Sequence, residues 1–133
     1  MTQPEQERYE IAEVCLLAGK IILQNGGETY RVEDTMIRIA AAFGHPDAQS
    51  FVTPTGIIFS MNGDDPATRL VRIADRSTDL HKVTLVNDIS RRIGGGELSA
   101  SAALRQLRDV EQARNAYPGW LQSSRPRSPA AAS

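Results

Sequence analysis

One short segment of the sequence crowds charged side chains together where the pattern predicts the start of a helix. The segment follows the helix-breaking run Asn-Gly-Gly at residues 25–27 and contains Glu28, Arg31, Glu33 and Asp34. A structural role accounts for them, because acids are favoured in the first turn of a helix and an arginine there pairs with a neighbouring carboxylate. The functional alternative is a polar site in which backbone N–H groups and Arg31 face an anion. Glu28, Arg31 and Glu33 are therefore candidate ligand-binding residues.

A second polar segment runs from residue 72 to residue 91, where a predicted strand leads into a predicted helix. Its ordinary interpretation is a strand–helix junction with solvated ion pairs. Arg76 joins the candidate ligand-binding set from this segment. Asn87 is unusual, because it falls near the inner face of a helix that asparagine does not favour, and we expect it to satisfy a buried backbone group.

Residues typical of metal or nucleophilic chemistry are few. The single cysteine, Cys15, lies in an apolar helical stretch, where a buried thiol is much more common than a reactive one. His45 and His81 show no metal-ligand spacing with each other or with Cys15, so we expect no metal and no cofactor. The sequence supplies no nucleophile, base and orienting group that would define an enzyme. Few aromatic residues accompany the arginines, so no nucleic-acid partner is expected.

Helical spacing of apolar residues predicts four helices, two on each side of a strand-rich middle. The first spans about residues 5–24 and is apolar almost all round from residue 14, which indicates burial or two partners. The second spans about residues 30–43 with Thr29 as its N-cap, and the glycine loop before it predicts an antiparallel hairpin. The third and fourth span about residues 79–93 and 99–116, with Ser99 placed to cap the fourth.

The middle of the chain changes to a period of two. Residues 50–62 and 68–75 are rich in Val, Ile, Phe and Thr, and a turn cluster between them predicts antiparallel pairing. Pro54 and Gly56 interrupt the first run, and they either divide it into two short strands or mark an edge or a bulge. The predicted fold class is α+β: a helical hairpin, a small antiparallel sheet of two to three strands, and two C-terminal helices.

Length and charge fit a single soluble domain. The 133 residues carry a net charge of −1, yet residues 1–65 hold four bases and ten acids, and residues 66–133 hold eleven bases and six acids. The longest uncharged stretch, residues 48–63, is too polar for a membrane span.

One cysteine and no secretory leader pattern predict a cytoplasmic protein. We expect a domain over residues 1–121 and a disordered Pro/Ser/Ala/Arg tail over residues 122–133.

The two polar segments, in this order, resemble the N-terminal cytosolic domain of the threonine/serine exporter family, which also includes bacterial proteins linked to dicarboxylate export. The resemblance covers about residues 8–121, and the ordered set of matches is specific. The matching features are Ala18-Gly19-Lys20, Asn25 to Thr35, Pro54 to Ile57, the strand with Arg72, Leu80 to Val83, Val86-Asn87, Ser90-Arg91 and Gly96 to Ser99.

The family pattern continues beyond this domain, where a Tyr-Pro segment like Tyr117-Pro118 leads into several transmembrane helices. Here a Ser/Pro-rich stretch follows instead, so the resemblance implies the soluble domain alone, which cannot carry a substrate across a bilayer by itself. Its implied partner is the membrane-embedded exporter half or a companion membrane protein. The implied location is cytoplasmic and, if the transmembrane partner is present, at the inner face of the plasma membrane, with the basic half of the chain nearest the lipid.

Three functions stay open at this point. The first is an accessory or gating domain of a threonine/serine or organic-acid exporter. The second is a small hydrolase-like enzyme, because the family's soluble part has been compared with hydrolases, and Glu28 or Asp34 would then act as a base. The third is a homo-oligomerisation module without a ligand, which the nearly all-round apolar first helix supports.

Overall fold

The computed structural model describes residues 3–61 and 68–113 and contains four helices and three strands within those ranges. In chain order the elements are α1 (Gln3–Gln24), α2 (Thr29–Ala42), β1 (Gln49–Thr53), β2 (Gly56–Ser60), β3 (Arg69–Arg72), α3 (Leu80–Gly94) and α4 (Ala100–Gln112). This order of helical hairpin, small antiparallel sheet and two further helices confirms the predicted α+β class.

Helix α1 is the central element of the core. It packs against α2, α3, α4 and β2, so apolar residues on nearly every side of it are covered by the chain itself. Val14, Cys15 and Ala18 have no exposed surface, and Ile21 and Leu23 are almost as deeply buried. The apolar surface that suggested an oligomer contact is therefore used within the domain.

The α1–α2 connection is tight because Gly26 takes a positive φ of 97°, a conformation that glycine adopts at little cost. The predicted N-cap at Thr29 is wrong by one residue. Glu28 occupies the N-cap position and makes no side-chain capping bond, and Thr29 is the first helical residue. The helix starts there because the backbone N–H groups of Arg31 and Val32 already donate to the carbonyl of Glu28, at 3.0 and 3.1 Å.

The sheet has the order β1-β2-β3, and both pairs are antiparallel. The turn at Pro54 and Thr55 separates β1 from β2, so the first strand-like run divides into two strands, which was one of the predicted alternatives. Val52, Ile57 and Phe59 are buried on the inner face of the sheet, toward α1 and α2. The predicted turn cluster between β2 and β3 lies outside the described residues.

Both C-terminal helices begin with side-chain caps. Asp79 accepts hydrogen bonds from the backbone N–H groups of His81 and Lys82 at the start of α3. Ser99 accepts one from the N–H of Ala102 at 3.1 Å, which confirms its predicted role as the cap of α4. The last residues predicted for the fourth helix, the boundary at residue 121 and the tail over residues 122–133 lie beyond the part of the chain that the structure describes.

Candidate functional site

A buried asparagine fixes the geometry around the predicted site. Asn25 is only 4% exposed, its Nδ2 donates to the carbonyl of Ile21 at 2.8 Å, and its Oδ1 accepts from the N–H of Asp79 at 3.2 Å. The end of α1 is thereby joined to the start of α3. Asn87 was predicted to satisfy a buried backbone group, but the buried asparagine that does so is Asn25. Asn87 is only half-buried. The prediction for Asn87 was wrong, because its side chain forms no hydrogen bond with any of the described residues.

Two adjoining cavities form a cleft between α2 and α3. They share Arg31, Thr35 and Asn87. The inner cavity, of about 200 Å³, is also lined by Ile22, Gly26, Gly27, Glu28, Leu80 and Val83. The outer cavity, of about 690 Å³, is also lined by Tyr30, Asp34, Arg38, Ser90 and Arg91. The cleft therefore has an apolar inner wall and a polar mouth, a combination that is typical of sites for small polar molecules.

Arg31 differs from the other arginines of the cleft. Arg38 pairs with Asp34 at 2.9 Å, and Arg91 lies 3.5 Å from Asp88. Arg31 is exposed and forms no ion pair with any residue in the described ranges. Its guanidinium group is therefore available to bind a carboxylate from outside the domain, and its planar donor set suits two parallel hydrogen bonds to such a group.

The structure separates the four predicted ligand-binding residues. Glu28 and Arg31 line the same inner cavity. The carboxylate of Glu33 instead accepts a hydrogen bond from the backbone N–H of Val52 at 2.8 Å, which ties α2 to β1, an edge strand of the sheet. Arg76 lies exposed in the segment between β3 and α3 and lines neither cavity of the cleft.

Several residues of the cleft were missed by the sequence analysis. Thr35 follows Arg31 by four positions, and Arg91 follows Asn87 by four, so each pair shares one face of its helix. From that spacing, the sequence alone could have shown that each pair lies on one face of its own helix. It does not show that α2 and α3 lie side by side, because that contact depends on the junction at Asn25.

Cysteine chemistry plays no part in the cleft. Cys15 is buried in α1, and this burial raises the pKa of its thiol from 9.0 to about 12. The thiol is thus neutral at physiological pH, which is the opposite of what a cysteine nucleophile needs. Within residues 3–61 and 68–113, no group of three or more His, Cys, Asp or Glu side chains is placed to hold a metal ion.

The fold and the cleft define a small α+β domain with a polar cleft between two of its helices. The chain belongs to the threonine/serine exporter family, since the family model described as "Putative threonine/serine exporter" matches residues 13–124. The resemblance read from the sequence is thereby confirmed.

Individual relatives are distant in sequence. "Probable succinate transporter subunit YjjP" of Escherichia coli (strain K12) is 26% identical over 120 residues, which are 90% of this chain and 46% of that protein. The protein of the same name from Klebsiella aerogenes is 25% identical over 127 residues, 91% of this chain and 46% of that one. "Probable threonine/serine exporter" of Mycobacterium tuberculosis is 24% identical over 115 residues, 84% of this chain and 22% of that protein. The chain spans about half or less of the length of these curated relatives. No solved structure matches the chain.

Family membership corrects the predicted location. The sequence predicted a cytoplasmic protein at the inner face of the plasma membrane, and this assignment is wrong, because the family is one of exporters, which act in membranes. None of the helices in the described part of the chain is long and apolar enough to cross a bilayer.

Proposed function

We propose that the chain is an accessory or gating part of an exporter of threonine, serine or an organic acid, and that it works with a membrane-embedded partner. Two findings support this proposal. The relative from Escherichia coli is called a transporter subunit, a term that implies a second subunit. This chain spans only 46% of that relative's length. The partner is then either a companion membrane protein or a second half of the exporter. That second half would correspond to the part of the relatives' length that this chain does not match.

The observation that carries the role of the cleft is the free guanidinium of Arg31. It lies beside Thr35 and Asn87, two neutral side chains that can donate hydrogen bonds as well as accept them. In the proposal Arg31 binds a carboxylate, which belongs either to the exported solute or to an acidic side chain of the partner. Glu28, which lines the inner cavity, is placed to accept a hydrogen bond from an ammonium group of the same ligand.

A gating role follows from the two walls of the cleft. Arg31 and Thr35 belong to α2, whereas Asn87 and Ser90 belong to α3. A ligand that bonds to both walls stabilises their present spacing relative to a more open one. The membrane-embedded partner would respond to that difference, because a ligand shifts a conformational equilibrium only through unequal affinity for the two states.

Co-purification tests the partner part of the proposal. The tagged chain, produced in the organism that encodes it, is recovered from detergent-solubilised membranes after mild cross-linking. We expect one polytopic membrane protein to be recovered with it in comparable amount. Recovery of the chain without any membrane protein would contradict an accessory role.

Titration with solutes tests the cleft part. Threonine, serine and succinate are added separately to the purified chain, and backbone amide shifts are followed by NMR. We expect saturable shifts confined to residues 28–35 and 80–91, and their loss in Arg31→Gln. Arg76→Gln is the matched control, since Arg76 is equally a surface arginine but lies outside the cleft. If no solute shifts these amides, and no acidic segment of the recovered partner does, Arg31 is not a binding residue.

A further inference from the structure

The outward face of the sheet is unusually apolar. The strand register places Phe51 opposite Ile58 and Ile58 opposite Leu70, so the three side chains form one row across all three strands. Their exposed fractions are 60%, 43% and 65%. An antiparallel sheet with one solvated face normally carries polar side chains there. A contiguous row of large apolar side chains on such a face marks an interaction surface.

The rows on either side define the rest of this face. Thr53, Gly56 and Arg72 form one flanking row, and Gln49 and Ser60 form the other. Because Gly56 has no side chain, a groove of about 510 Å³ opens beside the apolar row and extends to Ile73 and Ala74. Arg72 is the one charged residue among the outward-facing positions of the three described strands. The face therefore offers an electrostatically almost neutral surface, which suits an equally neutral partner.

We propose that a second copy of this chain covers this face, with sheet packed against sheet. Two sheets that bury apolar faces pack about 10 Å apart, and a flat three-stranded face is matched best by another flat face. In a homodimer with two-fold symmetry, a surface patch on one copy packs against the same patch on the other copy. The patch must therefore be complementary to itself. This inference goes beyond the proposed exporter role and does not depend on the α2–α3 cleft.

The charge on the face permits self-association. With the two-fold axis parallel to the strands, Phe51 lies opposite Leu70 of the second copy and Arg72 lies opposite Thr53 of the second copy. With the axis across the strands, Ile58 meets its own copy and Arg72 lies opposite Thr68 of the second copy, since β2 and β3 continue in the same register. In both arrangements no like charges meet among the described residues of this face, so these residues bury the apolar row without electrostatic repulsion.

The size of the face sets the strength of the contact. Three strands about 4.8 Å apart, two of five residues and one of four at about 3.4 Å per residue, give a flat area of at most roughly 14 by 17 Å. Stable interfaces bury about 800 Å² on each partner, which is well above this area. The dimer is therefore weak and concentration-dependent, and it forms at high local concentration.

Sedimentation velocity of the full chain tests the proposal, from about 10 µM to about 1 mM, the range in which small interfaces dissociate. We expect a reversible monomer–dimer equilibrium in the wild type. Leu70→Asp is expected to weaken association by at least about tenfold, because it buries a charge in the apolar row that forms the contact. Leu80→Asp is the matched control, since Leu80 is 66% exposed against 65% for Leu70 but lies at the start of α3. Circular dichroism establishes that both variants are folded.

A short bismaleimide gives a second, independent readout. Cys15 is buried, so Ile58→Cys supplies the accessible thiol among the described residues. We expect cross-linked dimer from Ile58→Cys and none from Ser101→Cys, an exposed position on α4. A wild type that stays monomeric up to the highest concentration overturns the proposal. Association that Leu70→Asp leaves unchanged overturns it too, because the contact then lies on another surface.

Discussion

The side chain of Asn25 accepts a hydrogen bond from the backbone N–H of Asp79, at 3.2 Å and across 54 positions of sequence. Asp79 in turn caps α3, so one contact joins the end of α1 to the start of α3. The carbonyl of Gln24 reinforces this junction, since it accepts from the N–H of Ser77 at 2.8 Å. The junction holds α3 beside α2 and thereby forms the cleft around Arg31.

We predict that Asn25→Ala lowers the free energy of unfolding by about 1–3 kcal/mol, because the carbonyl of Ile21 loses one of its two donors and the N–H of Asp79 loses its bond to the Asn25 side chain. Chemical denaturation followed by circular dichroism measures this change. Asn87→Ala is the control, since the half-buried Asn87 side chain makes no hydrogen bond to the described residues. Equal effects of the two substitutions would show that the junction does not depend on Asn25.

Gly19 allows α1 and α2 to approach closely. A Cβ atom at this position would lie 2.5 Å from Sδ of Met36 and 3.3 Å from Cδ1 of Ile57, and both of those residues are fully buried. We predict that Gly19→Ala costs about 1–3 kcal/mol of stability, in spite of alanine's better helix propensity, because the core has no room for the added methyl group.

Gly94→Ala is the control for this prediction. An added Cβ at Gly94, the last residue of α3, meets nothing within 4 Å. The substitution is expected to leave stability unchanged or raise it by up to about 1 kcal/mol. Thermal unfolding of both variants compares them, and a Gly19→Ala protein as stable as the wild type would contradict the close packing of α1 on α2.

Glu33 is assigned a structural role by its bond to the N–H of Val52. We predict that Glu33→Ala lowers stability by about 1–2 kcal/mol, because this edge N–H of β1 loses its charged acceptor. Glu33→Gln keeps an acceptor oxygen and is expected to recover part of the loss. Hydrogen exchange at the Val52 amide reports the contact directly, and an amide whose protection is the same in all three proteins would argue against it.

Local signals in the sequence predicted the order of the elements and the cap at Ser99. Each depends on residues a few positions apart, such as the bond from Ala102 to Ser99. The contacts of Glu33 and Asn25 reach 19 and 54 positions along the chain, so no local pattern reveals them. This is why Glu33 was grouped with Arg31 as a ligand-binding residue and why Asn87 was given the role that Asn25 has.

Arg31 and Glu28 should be dispensable for folding if they serve the cleft. We predict that Arg31→Ala and Glu28→Ala each change the free energy of unfolding by no more than about 0.5 kcal/mol, as expected for exposed side chains without structural partners. Urea denaturation at neutral pH measures both. A loss above about 1 kcal/mol in both variants would identify the segment as a structural helix cap.

Burial of Cys15 makes part of the protein's stability depend on pH in the alkaline range. Its folded pKa of about 12 lies above the unfolded value of 9.0 because burial disfavours the thiolate. The contribution of the buried thiol to stability is therefore complete below pH 9.0 and is lost as the pH rises toward 12. We predict that the wild type loses stability between these values more steeply than Cys15→Ala, by up to about 1 kcal/mol per pH unit. Identical pH profiles would show that the thiol titrates without a penalty.

The central claim is that the chain assists an exporter through the α2–α3 cleft, and solute efflux tests it most directly. Cells that produce the co-purified membrane partner are loaded with labelled threonine or succinate, and efflux is measured without the chain, with the wild type, and with Arg31→Gln or Arg76→Gln. The account predicts that efflux depends on the chain, falls at least about tenfold with Arg31→Gln as expected for loss of a charged contact, and is unchanged with Arg76→Gln. Efflux that is equally fast with and without the chain would contradict it.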